Sequence, residues 1–173
     1  MNIEEDFYDI NYHEKTVGYL DITFGPKWDY IPITRNYVEN FLSIHTSNQE
    51  DISKVEMIAS ELLENGVKYS NHDGVRMIIK KDEDRKVIEL AVYNYCTKES
   101  AEKIIMKIEE ANKHDPIEYY LKCIQESKEN KEKNGSAGLG VARINYEGNA
   151  KLSGRYNEKK SILEIKAEVG YIF

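Results

Sequence analysis

Three side chains stand at a spacing that sets them side by side on a helix: Glu61, Asn65 and Lys68. Glu61 and Asn65 are four residues apart and Asn65 and Lys68 three, so one helix face carries a carboxylate, a neutral amide and an ammonium. That set suits a phosphoryl group that is hydrolysed or transferred. The carboxylate can take a proton from an attacking water or hydroxyl, the amide oxygen is a hard ligand for magnesium, and the ammonium neutralises phosphate charge. Further along, Asn134-Gly135-Ser136-Ala137-Gly138-Leu139-Gly140 is a glycine loop that opens into Val141, Ala142 and Ile144, which read as a short helix. Glycine allows close backbone approach and positive φ, and a helix starting there offers bare amides to an anion. Each pattern alone also occurs in ordinary solvated helices and turns. Their joint presence points to phosphate chemistry.

The elements that must position these residues follow from periodicity. Leu20, Ile22 and Phe24 alternate with polar residues as a half-buried strand, closed by Gly25-Pro26. From Pro32, the residues Ile33, Tyr37, Val38, Phe41, Leu42 and Ile44 recur at helical spacing. Ser47 and Glu50 predict a capping box for a second helix, whose apolar face is Ile52, Val55, Ile58, Ala59, Leu62 and Leu63 and which runs to about Tyr69. Gly66 costs that helix roughly 1 kcal/mol unless close packing compensates. Asn71-His72-Asp73-Gly74 is turn chemistry, and Val75, Met77 and Ile79 pair through a charged tip at Asp82-Glu83-Asp84 with Ile88, Leu90 and Val92 as a hairpin. Residues 97–140 turn rich in Lys and Glu; Asp115-Pro116-Ile117-Glu118 supplies a cap there, so two helices and a lid region are expected. Leu152 to Tyr156 and Ile162 to Val169 form a closing hairpin around Asn157-Glu158-Lys159-Lys160. With no internal repeat or linker, residues 1–173 read as one domain. The order of elements predicts an α+β two-layer sandwich, a mixed and mostly antiparallel sheet with helices on one face.

On these residues a family resemblance can be stated. Glu61-Leu62-Leu63-Glu64-Asn65-Gly66-Val67-Lys68-Tyr69-Ser70 resembles the asparagine box of the gyrase, histidine-kinase and MutL ATPase superfamily, built on the Bergerat fold. Gly138-Leu139-Gly140-Val141 resembles its lid glycine box, and the two motifs stand in the superfamily's order. The run Pro26-Lys27-Trp28-Asp29-Tyr30-Ile31-Pro32, continuing to Phe41, looks like the leading segment of the anti-sigma-factor serine kinases of bacterial partner-switching modules. The resemblance implies that Glu61 is the catalytic base, Asn65 the magnesium ligand and Lys68 a phosphate contact. It also implies that Gly138, Leu139, Gly140 and Val141 cradle the triphosphate of ATP and that Ser161 stands near adenine. Where the family has Asp-x-Gly-x-Gly, this chain reads Asn94-Tyr95-Cys96-Thr97-Lys98. Asn94 can still accept from the adenine amino group, but without the charge that strengthens such a bond, a loss of ~1 to 2 kcal/mol. Ser136 and Ala137 stand where the glycine box typically has Gly and a variable residue.

The function implied is a regulatory protein that binds ATP and magnesium, a Ser/Thr kinase of the anti-sigma type. Its partner would be a small anti-sigma-antagonist-like protein or a sigma-like factor, and a homodimer is allowed. The altered strand at Asn94 keeps open a second reading, a catalytically inactive module of the same fold that acts by protein contact. Composition narrows the partners further. A chain of 173 residues with a net charge of -7 disfavours nucleic acid and anionic membrane surfaces. Cys96 and Cys123 are lone and far apart, giving neither a disulfide framework nor a cysteine zinc site, and they fit a reducing cytoplasm. His13, His45, His72 and His114 show no metal spacing. The acidic start, Met1 to Asp6, has no apolar run of signal or membrane length, so a cytoplasmic location is expected.

Overall fold

The computed structural model describes residues 16–71, 74–129 and 138–171. The acidic start, His13, the turn residues His72 and Asp73, and the glycine-loop residues Asn134 to Ala137 lie outside the described residues.

The element that organises the rest is the second helix, α2 (Gln49–Tyr69), which follows α1 (Tyr30–His45). Along α2, Ile52, Val55, Ile58, Ala59, Leu62, Leu63, Gly66 and Val67 are buried at helical spacing, so one continuous stripe faces the core. Its cap is Asn48 rather than Ser47: Asn48 Oδ1 accepts from the backbone N–H groups of Glu50 at 3.0 Å and Asp51 at 3.4 Å. The helix begins one residue later than the Ser47–Glu50 box requires, and asparagine is as strong a cap as serine. Glu50 is turned to Lys54 instead, at 2.6 Å. α1 starts two residues before Pro32 and buries Ile31, Thr34, Val38 and Leu42.

The sheet contains β1 (Thr16–Phe24), β2 (Val75–Asp82), β3 (Val87–Tyr95), β4 (Lys151–Asn157) and β5 (Ile162–Gly170) in the order β1-β2-β3-β5-β4. Among the described residues every pairing is antiparallel, so the expected α+β two-layer sandwich holds, with an antiparallel sheet where a mixed, mostly antiparallel one was expected. The reason is where the chain re-enters after β3: β4 takes the outer edge and its hairpin partner β5 returns antiparallel against β3. The register aligns Leu20, Ile79, Leu90, Ala167 and Leu152 in one cross-strand row, and Ile22, Met77, Val92 and Ile165 in another. These rows face the helices. The opposite face carries paired charges, with Arg76 on Asp21 at 2.7 Å, Tyr93 donating to Glu164 at 2.8 Å, Arg155 on Glu164, and Lys166 on Glu89 at 3.1 Å.

Gly66 explains itself in this layer. A Cβ there would stand 3.0 Å from Val75 Cγ1 and 3.1 Å from Val92 Cγ1, so the glycine lets α2 lie close on β2 and β3. After β3, α3 (Lys98–Lys113) is capped by Thr97 Oγ1 accepting from Ser100 N at 3.2 Å. It buries Ala101, Ile104, Ile108 and Ala111, and Gly154 of β4 lies against its Ile105 and Ile108. The stretch expected as a lid therefore carries a core helix at its start. α4 (Pro116–Glu129) has the expected cap, Asp115 Oδ1 accepting from Ile117 N at 3.0 Å and Glu118 N at 3.1 Å. α5 (Leu139–Tyr146) follows Gly138, buries Val141, Ala142 and Ile144, and lies between α2 and α4. Among the described residues, no helix is long and apolar enough to cross a membrane.

Candidate functional site

The structure brings the two sequence motifs together. α2 presents Glu61 and Asn65 half-buried and Lys68 exposed, while Leu62, Leu63 and Val67 turn into the core. α5 is laid on that face by two glycines. A Cβ at Gly140 would stand 2.6 Å from Glu61 Oε2 and 3.6 Å from Asn65 Nδ2; one at Gly148 would stand 3.0 Å from Ile58 Cδ1. A side chain at Gly140 would displace the Glu61 carboxylate, and one at Gly148 would meet the Ile144 carbonyl at 2.5 Å as well as Ile58. Gly138 has φ +119, the left-handed region open to glycine, and its carbonyl accepts from Ala142 N at 2.9 Å. No side chain caps α5, so the amides of Leu139, Gly140 and Val141 start the helix without a hydroxyl or carboxylate bonded to them from the cap position. The Val141 side chain is buried in the core, leaving only its backbone for a ligand.

One residue beside Glu61 escaped the sequence reading. Arg143, three residues beyond Gly140, donates from Nη1 to Glu61 Oε1 at 2.9 Å and from Nε to Glu147 Oε2 at 2.8 Å. Glu147 Oε1 in turn accepts from the Tyr120 hydroxyl at 3.1 Å. The hydrogen bond that Arg143 donates to Glu147 is the main influence raising the Arg143 pKa, and burial followed by the hydrogen bond to Glu147 raises that of Tyr120. A single chain of bonds thus runs from α4 through α5 to the candidate base on α2. On the same stretch of α2, burial and then the charge of Glu61 push the Glu64 carboxyl upward. The only sequence signal for Arg143 was its i,i+4 spacing to Glu147, which is common on exposed helices.

Beside Lys68 lies a cavity of about 710 Å³. Lys68 and Tyr69 of α2 form one wall, and Lys103, Ile104 and Lys107 of α3 the other. Lys107 runs past the loop that opens α5, its Cδ 3.5 Å from where a Cβ on Gly138 would sit. Burial, and after it the charge of Lys68, lowers the Lys107 pKa. Two cations, the left-handed Gly138 and the start of α5 are therefore neighbours.

The adenine-side residues are placed elsewhere. Asn94 is buried on β3, its Nδ2 donating to the Tyr95 carbonyl at 3.4 Å. It borders a separate depression of about 520 Å³ with Asp21, Thr23, Arg76 and Tyr93, and does not line the Lys68 cavity. Ser161 is exposed at φ 54 in the β4–β5 turn, one residue before β5, and its carbonyl accepts from Cys96 N at 3.0 Å. Cys96 is fully buried, which pushes its thiol up to about 11. Glu61, Asn65 and Gly140 thus lie together, Gly138 lies against Lys107 of the neighbouring cavity, and Asn94 borders the separate depression.

No protein-family model matches this sequence, and no curated protein sequence matches it either. Solved structures do. The chain is similar to a chain in the crystal structure of the SiaB-SiaC complex from Pseudomonas aeruginosa, at a TM-score of 0.71 and 16% identity, over 90% of this chain and 90% of that one. What the two chains share, at that identity, is the fold.

Proposed function

We propose that this chain is a regulatory ATP-binding protein that transfers the γ-phosphoryl group to a Ser or Thr of a small partner protein. The observation that carries this reading is the meeting of Gly140 with Glu61 and Asn65: two motifs far apart in sequence arrive at one point, in contact because residue 140 lacks a side chain. The residues fit magnesium-ATP. Asn65 offers one hard amide oxygen, which suits an ion held otherwise by phosphates and water. The uncapped amides of Leu139 and Gly140 suit phosphate oxygens. When bound, magnesium-ATP supplies the phosphoryl group and the metal charge that offsets charge on its oxygens. The chain's own part is to orient and to move one proton. Lys68 balances phosphate charge at the rim, and Glu61 takes the proton of the partner's hydroxyl once Arg143 shares or releases its carboxylate. The solved structure with the same fold belongs to a two-protein complex, which supports a protein as the object of the reaction.

The test is phosphoryl transfer from labelled ATP to candidate small partners, alongside calorimetric titration with magnesium-ATP. Glu61→Gln should abolish transfer while binding persists; full transfer by that variant would sink the role given to Glu61. A second reading has its own observation. Asn94 is turned to the Tyr95 carbonyl and stands off the cavity, so a module that has lost nucleotide and acts by contact alone is the alternative. No thermal shift with ATP, ADP or GTP, together with partner binding retained by Asn65→Ala, would select it.

A further inference from the structure

Arg143 has two carboxylates of α2 within its range. It donates from Nη1 to Glu61 Oε1 at 2.9 Å, and Glu64 lies three residues further along the same helix. Glu64 is within electrostatic reach of Arg143, whose charge acts on its carboxyl after burial and the charge of Glu61. Yet among the described residues Arg143 donates only to Glu61 and Glu147. A guanidinium 43% exposed on a flexible stem does not choose between neighbouring carboxylates unless something holds it. The choice is made at its other nitrogen. Nε donates to Glu147 Oε2 at 2.8 Å, which turns the planar fork so that Nη1 reaches Glu61. Glu147, at the C-terminal end of α5, is itself held, because its Oε1 accepts the Tyr120 hydroxyl of α4 at 3.1 Å. The Tyr120 ring lies against Tyr146 with centroids 5.2 Å apart, so a ring packed in place delivers that hydroxyl. Glu61 is then fixed on both sides, Oε1 by Arg143 and Oε2 against Gly140.

We propose that Tyr120 is a positioning residue for phosphoryl transfer: through Glu147 it holds the Arg143 guanidinium on Glu61 and away from Glu64, and so sets the orientation of the carboxylate that takes the acceptor's proton. The proposal rests on the reading of Glu61 as the base and extends it to a residue of α4 outside the asparagine and glycine motifs. In the transfer step the acceptor oxygen bonds to the γ-phosphorus, the bond to ADP breaks, and the acceptor's proton passes to Glu61. Tyr120 and Arg143 exchange no proton. They act on geometry, where a carboxylate turned away from the acceptor costs rate without weakening nucleotide binding.

The full chain with labelled magnesium-ATP, water serving as the acceptor, tests this through the rate of phosphate release. Tyr120→Phe removes the hydroxyl and keeps the ring; it should lower kcat about threefold at unchanged KM, and Arg143→Gln should lower it about tenfold. Two further readouts separate positioning from a general loss of stability. In an Arg143→Gln background, Tyr120→Phe should cost no more rate. Glu64→Gln, which removes the competing carboxylate, should restore most of the rate to Tyr120→Phe. Full rate in Tyr120→Phe, additive losses, or no rescue by Glu64→Gln overturns the proposal while the role of Glu61 stands. If wild type releases no phosphate, unfolding midpoints in urea decide. Losses for Tyr120→Phe and Glu61→Gln that are non-additive, and become additive in an Arg143→Gln background, keep the tie between Tyr120 and Glu61 and remove the transfer reading, whereas additive losses throughout remove the tie as well.

Discussion

Replacing Arg143 by Gln tests whether the bond chain from Tyr120 to Glu61 holds α5 on α2. The Arg143–Glu61 pair is the stronger half: the Glu61 side chain is 17% exposed and Arg143 43%. A charged hydrogen bond in such a setting is worth about 1 kcal/mol once the exposure of the arginine is discounted. The Arg143–Glu147 pair is an exposed i,i+4 contact, worth about 0.3 to 0.5 kcal/mol. Arg143→Gln should therefore cost about 1.5 kcal/mol, a fall in Tm of roughly 3–6 °C for a chain of this size. Thermal unfolding at low and high salt is the assay, and the loss should shrink at high salt because the weaker pair is screened. A double-mutant cycle with Glu61→Gln isolates the pair, and a coupling of about 1 kcal/mol is expected. Strictly additive losses, or an unchanged Tm, would refute the reasoning that Arg143 locks the candidate base.

Gly66→Ala gains about 1 kcal/mol in helix propensity yet should lower stability by about 1 kcal/mol net in urea unfolding, because Val75 and Val92 are buried, stiff at χ1 and unable to give way. Cys96 makes stability fall in alkali. Burial favours its neutral thiol, so its contribution is complete below about pH 9 and is lost as pH rises toward about 11. Comparing Cys96→Ala with wild type across that window should show the wild type losing on the order of 2 kcal/mol more.

The helix of Glu61, Asn65 and Lys68 was legible because its spacing and its buried stripe give one and the same face, and packing leaves the polar side exposed to α5. The glycine loop was legible in type but not in partner: Gly140 faces Glu61 only because Gly148 also lets α5 lie close. Arg143 and Lys107 were not legible, since a cation's partner is set by how α3 and α5 dock on α2, and nothing in local spacing encodes that. Asn94 shows the reverse. It was singled out by analogy with a strand-end acid, but its amide closes on the neighbouring carbonyl and its border is with Asp21 and Arg76. Ser47 lost the cap of α2 to Asn48 by one residue, a shift that two adjacent cap-forming side chains leave undecided.

The strand order has a consequence for how the protein assembles. β2 and β3 are joined across four residues, 83 to 86, whereas β3 and β5 pair across the 66 residues from 96 to 161. Closing the longer connection costs about 2.5 kcal/mol more chain entropy than closing the hairpin. Glu61 and Asn65 precede that closure, while Gly140 and Arg143 lie inside it. The candidate site is thus completed by the least local pairing in the sheet, and its formation during refolding would time the slow, long-range step rather than the appearance of α2.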